Sequence, residues 1–394
     1  MATRSPSISS VRNAAEFRAI AAVMARSYGG KQRGFASYLR RAGAPNVLVV
    51  RDGRRLAAGL VMLPCGVWFG GRAVSNVGIA CVATAPEDRG KGIAPALMAA
   101  CLREMARRGA AVSTLFPTTQ PLYRGAGWEQ AGVIHTWKIA SRDFVFRDRA
   151  LEVRLAGKRD AATLGKLHDL AASRTSGLLQ RTPWFWKRVL STEDEPRETH
   201  IALRGGRPEG FVVFALREAQ VGHRFELGVR DFVATTPAAA QRLLTVVSDQ
   251  RSMCEFISGF GSPSDLLHLL PGEQRMETVR TKRWMMRIVD VKRAFEQRGW
   301  PAGLEAEADF DIDDSVLPAN SGKWRLRVKN GRGHAGRGGA GRIRISVRGL
   351  SPLYSGFMGP DELRLAGLLE APDADLPAVR ALFAGPSPYT TDGF

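Results

Sequence analysis

The 394-residue sequence predicts an α/β chain of three consecutive domains, the first two related in build and the third of α+β type. Three observations predict it. A strand, a glycine loop and an amphipathic helix follow one another over residues 74–109. A fainter copy of that unit recurs at 231–248. From Trp284 the pattern changes to alternating strands with short helices. Hydrophobic residues make up 44% of the chain, ample at this length for packed cores without disulfide or metal staples.

Residues 12–28 place Phe17, Ile20, Ala21 and Met24 on one face of a helix. Strands are predicted at 47–50, 56–62 and 67–69. The turn signals Asp52-Gly53 and Gly70-Gly71 separate them, giving an antiparallel meander. Residues 74–82 are apolar and β-branched, as a buried strand requires. Ile93, Leu97, Cys101 and Met105 then recur every four residues, and Arg107-Arg108-Gly109 supply a basic last turn and a stop. Between strand and helix, Gly90 and Gly92 let the backbone approach a bound group. The first helical turn presents unpaired N–H groups and the positive end of the helix dipole. That combination suits a pyrophosphate. The order Arg89-x-x-Gly92-x-Ala94 is neither a Walker loop nor a dinucleotide Gly-x-Gly-x-x-Gly. A strand at 111–116 follows, and the first domain closes near Ala150.

In the copy, Asp231-Phe-Val-Ala-Thr-Thr-Pro237 echoes Cys81-Val-Ala-Thr-Ala-Pro86, but the helix pattern starts at once, without a glycine loop. Such a helix keeps its dipole and loses the curved set of backbone donors that wraps a pyrophosphate, so the second domain is expected to bind no such group. Trp184-Phe185-Trp186 and the strand at 211–214 read as core and domain interface. In the last third, a strand at 285–291, a helix at 292–299 and alternation at 310–314 are predicted. Helices are predicted at 361–369 and 376–383. Alternating Trp324, Leu326 and Val328, then Ile343, Ile345 and Val347, flank a Gly-rich stretch at 330–341, which reads as a mobile hairpin loop. The proline-stiffened tail ends on Phe394, a ring large enough to be buried.

Net charge is +19, and most of the 57 basic residues are Arg. This reads first as a composition bias that keeps the protein soluble; a polyanion- or nucleic-acid-binding protein is the alternative class. The four cysteines and six histidines show no metal-ligand or disulfide spacing, so no metal is expected. The amino terminus lacks the apolar core of a signal peptide and no run of 18 apolar residues occurs, so a cytoplasmic protein without membrane contact is expected. No Ser-His or Cys-His pair suggests an acyl-enzyme.

The loop at 82–95 resembles the acyl-coenzyme A signature of the GNAT acetyltransferases, and Gln120-Pro-Leu-Tyr-Arg-Gly-Ala-Gly-Trp128 resembles that family's second landmark. A competent GNAT half, a degenerate one and a third domain that looks like a sterol-carrier-protein fold through residues 310–324 together resemble the Eis (enhanced intracellular survival) type of N-acetyltransferase. The resemblance implies domains at 1–150, 151–283 and 284–394. It implies acetyl transfer from acetyl-CoA to an amine, whether an aminoglycoside, a lysine or peptide amine, or a polyamine, and a homo-oligomer, a hexamer. By position, Val82, Ala83 and Thr84 would lie along the coenzyme, Arg89, Gly90, Lys91, Gly92, Ile93, Ala94 and Pro95 around its pyrophosphate, and Thr118 and Thr119 beside its pantetheine arm. Tyr123 matches the general acid, and the terminal carboxylate of Phe394 the general base. Gly90 stands where a basic residue is common, and Thr118-Thr119 replaces a pair containing an acid, so the local charge offered to a cationic antibiotic departs from the family pattern.

Overall fold

The meander of the first domain forms in longer strands than the apolar runs suggest. In the computed structural model, which describes residues 7–53, 55–191, 195–218, 225–262 and 264–394, β1 (Ser7–Ser10), β2 (Val47–Asp52), β3 (Arg55–Phe69) and β4 (Arg72–Thr84) pair antiparallel in chain order. The runs at 56–62 and 67–69 are a single strand, because Pro64 falls where β3 has a partner on one side only and its missing N–H is tolerated. Helix α1 (Ala14–Tyr28) starts where the Asn13 side chain accepts from Glu16 N–H and stops at left-handed Gly29. It buries Ile20, Ala21 and Met24. Helix α2 (Gln32–Ala42), which the sequence reading omits, is basic and shows a short apolar face of Ala36, Leu39 and Ala42. Helix α3 (Ile93–Arg107) crosses to β5 (Val112–Leu115), parallel to β4; α4 (Gln120–Gly125) and β6 (Glu129–Ala140) complete the half.

The second half repeats the plan. It runs β7 (Glu152–Leu155), α5 (Ala161–Ala172), β8 (Leu179–Gln180), α6 (Pro183–Leu190), β9 (Glu198–Arg204), β10 (Arg207–Glu218), β11 (Phe225–Ala234), α7 (Pro237–Ser248), β12 (Cys254–Gly261) and β13 (Glu277–Ile288). Strands β11 and β12 are parallel with α7 between them, matching β4, α3 and β5. The halves exchange their last strands. Strand β13 lies antiparallel between β5 and β6, and β6 pairs on its other side with β12. One sheet results, in the order β1-β2-β3-β4-β5-β13-β6-β12-β11-β10-β9-β7, with β8 on β3. The expected start of the third domain at 284 therefore falls inside a strand of this sheet, where Met285 faces Leu115. Residues Glu277–Arg283 of that strand are exposed and mostly polar, so only its buried end shows an apolar signal in sequence.

The third unit comprises α8 (Val291–Gln297), β14 (Ala306–Asp313), β15 (Gly322–Lys329), β16 (Arg332–Arg337), β17 (Ile343–Ser346), α9 (Val347–Ser355), α10 (Pro360–Leu365), β18 (Leu369–Glu370) and α11 (Leu376–Phe383), with sheet order β16-β15-β14-β17-β18. Half of the Gly-rich stretch, Arg332–Arg337, is strand rather than mobile loop. The turn shrinks to Asn330-Gly331, both at positive φ (51° and 68°), and β16 pairs along β15. Its glycines admit a neighbour, since a Cβ at Gly333 would stand 2.4 Å from Trp300 Nε1. Arg325 and Arg327 of the adjoining β15 pair with Asp309 and Glu307 of β14, so their charge is answered locally. Val347 begins α9, not a strand, because the Ser346 hydroxyl accepts from Gly349 N–H and caps a helix there.

Third unit and long sheet meet backbone to backbone. Gly299 N–H donates to Phe69 C=O at 3.1 Å, and a Cβ at Gly299 would come 1.8 Å from Gly70 C=O. Gly299→Ala is expected to destabilise the chain by ~2 kcal/mol or more, read as a lower urea midpoint. An unchanged midpoint would show that the junction gives way without cost.

Candidate active site

The site begins where two parallel strands part. Pairing of β4 with β5 runs from Asn76 opposite Val112 to Ile79 opposite Leu115 and ends there. At the same level β4 bulges against β3: Ala80 faces Val61 and Ala83 faces Gly59, leaving Cys81 and Val82 out of register, Cys81 at φ 53°. The gap is a cavity of about 280 Å³. Ile79, Ala80, Cys81 and Val82 form one wall, and Phe116, Thr118 and Tyr123 the other. Tyr28 and Phe35 from the first two helices, Lys282 of β13 and Phe394 close it. Helix α1 also clamps the bulged strand, because Tyr28 O–H donates to Val82 C=O at 2.8 Å and Ser27 O–H to Thr84 C=O at 3.2 Å. Ala83 remains paired with Gly59.

At the end of β4 a short turn leads to Arg89, Gly90, Lys91 and Gly92, all exposed. Gly90 and Gly92 take φ of 78° and 74°, and a Cβ at either would meet nothing within 4 Å. Gly92 is the N-cap of α3 and offers no side chain to the first turn, formed by Ile93, Ala94 and Pro95. Open space and an uncapped helix start fit a bound pyrophosphate. Asp88 steadies the loop from beneath. Buried itself, it pairs with Arg55 and with Lys91 at 2.9 Å, and these cations hold its carboxyl down at about 2. In the second half the same place is filled: the Thr236 hydroxyl accepts from Ala239 N–H at 3.2 Å and donates to the Glu209 carboxylate at 2.6 Å, capping α7 from within.

Tyr123 is buried on α4, and burial pushes its hydroxyl above the ordinary tyrosine range, partly offset by a hydrogen bond with Thr118. Burial likewise raises the Cys81 thiol to about 11, so at neutral pH it is no nucleophile. The Lys282 ammonium is lowered by burial and by neighbouring Arg280, and lies 4.6 Å from the centre of the Phe116 ring. The Phe394 ring sits 6.0 Å from those of Phe116 and Phe185, against Gly78, where a Cβ would come 2.3 Å from a ring carbon.

Val82, Thr118, Tyr123 and Phe394, far apart in sequence, thus share one cavity, and the glycine loop follows the end of the same diverging strand. Thr119 is exposed at the N-cap of α4 and makes no capping bond. The sequence reading missed Tyr28, Phe35, Phe116 and Lys282, which no local motif marks. It also missed Asp88, whose pairing with Lys91 three residues on is local but whose second partner, Arg55, lies 33 residues upstream.

Residues 9–131 and 177–288 match two acetyltransferase (GNAT) domain families, and residues 291–391 match a sterol carrier protein domain. The chain is similar over 99% of its length to all of a GCN5-related N-acetyltransferase from Anabaena variabilis, with 31% identity and a TM-score of 0.95. A GCN5-related N-acetyltransferase from Kribbella flavida is 30% identical over 99% of both chains, with a TM-score of 0.88. The chain belongs to the GCN5-related N-acetyltransferases and is an acetyltransferase enzyme with tandem GNAT domains and a sterol-carrier-protein-like domain. Eis1 from Mycobacterium abscessus shares the fold, with 22% identity and a TM-score of 0.80 over 98% of this chain and 100% of Eis1. An uncharacterized N-acetyltransferase of Streptomyces griseus is 25% identical over 75% of each chain. Among the described residues, no cluster of His, Cys, Asp or Glu is suited to a metal and no helix is long and apolar enough to cross a membrane.

Gly92→Glu places a carboxylate where the pyrophosphate would lie and is expected to weaken acetyl-CoA binding by ~2–4 kcal/mol with the fold kept, measured by calorimetry. Unchanged affinity would remove the loop from the coenzyme site. Gly78→Val must displace the Phe394 ring. Turnover is expected to drop about 100-fold while coenzyme affinity holds.

Proposed function

We propose that the first domain alone binds acetyl-CoA and moves its acetyl group directly to an amine in a ternary complex, with Tyr123 as general acid and the α-carboxylate of Phe394 as general base. The observation that carries this reading is that Tyr123 and Phe394 line one cavity at the point where β4 and β5 part. The coenzyme supplies an activated thioester. Residues 82–84 would hold its pantetheine arm, with Thr118 facing it, and residues 89–95 its pyrophosphate. The amine is mostly protonated at neutral pH, and the α-carboxylate of Phe394 would take its proton so that the nitrogen can attack the carbonyl carbon. The N–H of Val82, in the bulge, is the donor assigned to the carbonyl oxygen. Tyr123 then gives its proton to the departing sulfur, and burial keeps that hydroxyl protonated until needed.

The lining favours an amine on an apolar stem, such as a lysine side chain or an arylalkylamine. Tyr28, Phe35, Phe116 and Phe394 supply rings, Lys282 is the charged side chain, and no Asp or Glu side chain lines the cavity among the described residues. A polycation such as an aminoglycoside would meet no side-chain carboxylate there and is disfavoured.

Thiol release from acetyl-CoA across a panel of amines tests the acceptor: apolar monoamines should outrun aminoglycosides, and the reverse order would refute the reading. Tyr123→Phe keeps the ring and is expected to lower turnover by roughly 10²–10⁴-fold with coenzyme affinity near wild type. Turnover within about twofold would make Tyr123 structural. Because burial raises the tyrosine, its acid form persists as pH rises, so kcat should hold level up to the ordinary tyrosine range near pH ~10. A loss centred below that would point to a different acid.

A further inference from the structure

We propose that the second domain has exchanged a coenzyme site for a peptide site: β11, where it parts from β12, together with β6 and residues 176–188 beside it, is the receptor for residues 388–393 of the same chain, and Asp392 is the positioning residue that sets where Phe394 stands. The second half repeats the first at the decisive place. Pairing of β11 with β12 ends at Val229 opposite Gly259. There β11 bulges against β10, since Phe214 faces Val229 and Val213 faces Asp231, leaving Arg230 out of register. In the first half the matching bulge opens onto the cavity that holds Tyr123. In the second it opens onto a cavity of about 370 Å³, which Tyr389 and Thr391 of the tail help to wall.

The bulged Arg230 reads the tail directly, donating to Thr391 C=O at 2.8 Å and to the Asp392 carboxylate at 3.1 Å. Arg181, wholly buried, donates to the other oxygen of Asp392 at 2.8 Å and pairs with Asp231, the residue after the bulge. Two guanidinium groups and two carboxylates therefore meet in the interior with balanced charge. Burial alone would favour a neutral Asp392, but Arg181 and Arg230 outweigh it and keep the carboxylate ionised. The backbone of the tail is also bound. Val133 N–H donates to Pro388 C=O at 3.1 Å, Thr390 N–H to Val133 C=O at 3.0 Å and Tyr389 N–H to Ser176 C=O at 2.9 Å. Gly132 and Gly177 leave the room this needs, since a Cβ at either would come within 2.7 Å of a tail carbonyl oxygen. Arg188 holds the Gly393 carbonyl at 3.0 Å.

A cluster of this kind selects a register more than it adds stability. A slip of one residue along the receptor would take the carboxylate from both guanidinium groups and leave charges unpaired in the interior. With Asp392 fixed, two residues carry the chain to the contacts of Phe394 with Gly78, Phe116 and Phe185. The catalytic consequence rests on the base role proposed for Phe394; the receptor does not.

The test is Asp392→Asn in the full chain. The amides of Tyr389 and Thr390 are expected to exchange hydrogen about 100-fold faster, and kcat to fall about 100-fold, while acetyl-CoA affinity stays within about twofold. Unchanged exchange in the folded variant overturns the proposal. Fast exchange with unchanged kcat supports the receptor and removes the base assigned to Phe394. If the variant does not fold, the native chain with a protease site in the exposed stretch 384–387 is folded first and then cut. The peptide Pro-Ser-Pro-Tyr-Thr-Thr-Asp-Gly-Phe should then displace the bound tail at least about tenfold better than its Asp392→Asn form. Its C-terminal amide should displace equally well yet fail to support transfer. Equal displacement by the Asp and Asn peptides overturns the proposal.

Discussion

The exchange of last strands between the two GNAT halves is the constraint on which the rest of the molecule depends. Strand β13 belongs by sequence to the second half and by hydrogen bonding to the first, while β6 does the reverse. Drawing the halves apart would expose unpaired backbone on β5, β6, β12 and β13 at the middle of one sheet, a cost that neither half meets alone. The halves are therefore locked in one relation. A tail anchored on the second can deliver a residue to the cavity of the first without an adjustable hinge between them. Lys282, on the exchanged strand, is likewise carried from one half into the cavity of the other.

Within that frame, one supersecondary unit has two outcomes, and a few residues divide them. The first half starts its helix at a left-handed glycine with no side chain, leaving the helix amides open. The second starts at Thr236, whose hydroxyl fills the same position and is tied to Glu209. The bulges differ in the same spirit. Cys81 and Val82 leave a small, mostly apolar opening, whereas Arg230 places a guanidinium in the gap, able to hold carbonyl and carboxylate groups of a peptide. Geometry common to both halves thus leaves an open helix start in one and meets a segment of the same chain in the other.

The sterol-carrier-protein-like domain completes the frame. It meets the first domain through the backbones of Gly70 and Gly299, and through Arg287 of β13, whose buried guanidinium pairs with Asp314 at 2.6 Å. Asp314 in turn accepts from Leu317 N–H and from Asn320, so one carboxylate organises the turn before β15 and ties it to the exchanged strand. The tail leaves this domain after α11 and crosses to the receptor, which links all three domains to the position of Phe394.

Residues 12–28, the loop at 89–95 and the loop-free start of α7 at Pro237 were legible in sequence because each depends on neighbours within one or two turns of chain. Glycine at positive φ, apolar residues every third or fourth position and a cap one residue before a helix carry their meaning locally. The same locality explains the errors. Strand β16 is rich in Arg and Gly and resembles a loop until β15 and Trp300 are beside it, and Glu277–Arg283 reads as surface until β6 pairs with it. Tertiary structure alone decided which half receives which strand, which rings surround Phe394, and that Asp392 meets Arg181 and Arg230 from more than 160 residues away. Backbone pairing and charge burial depend on which distant segments meet, and hydrogen-bonding edges and buried ions acquire their partners only when the chain has closed.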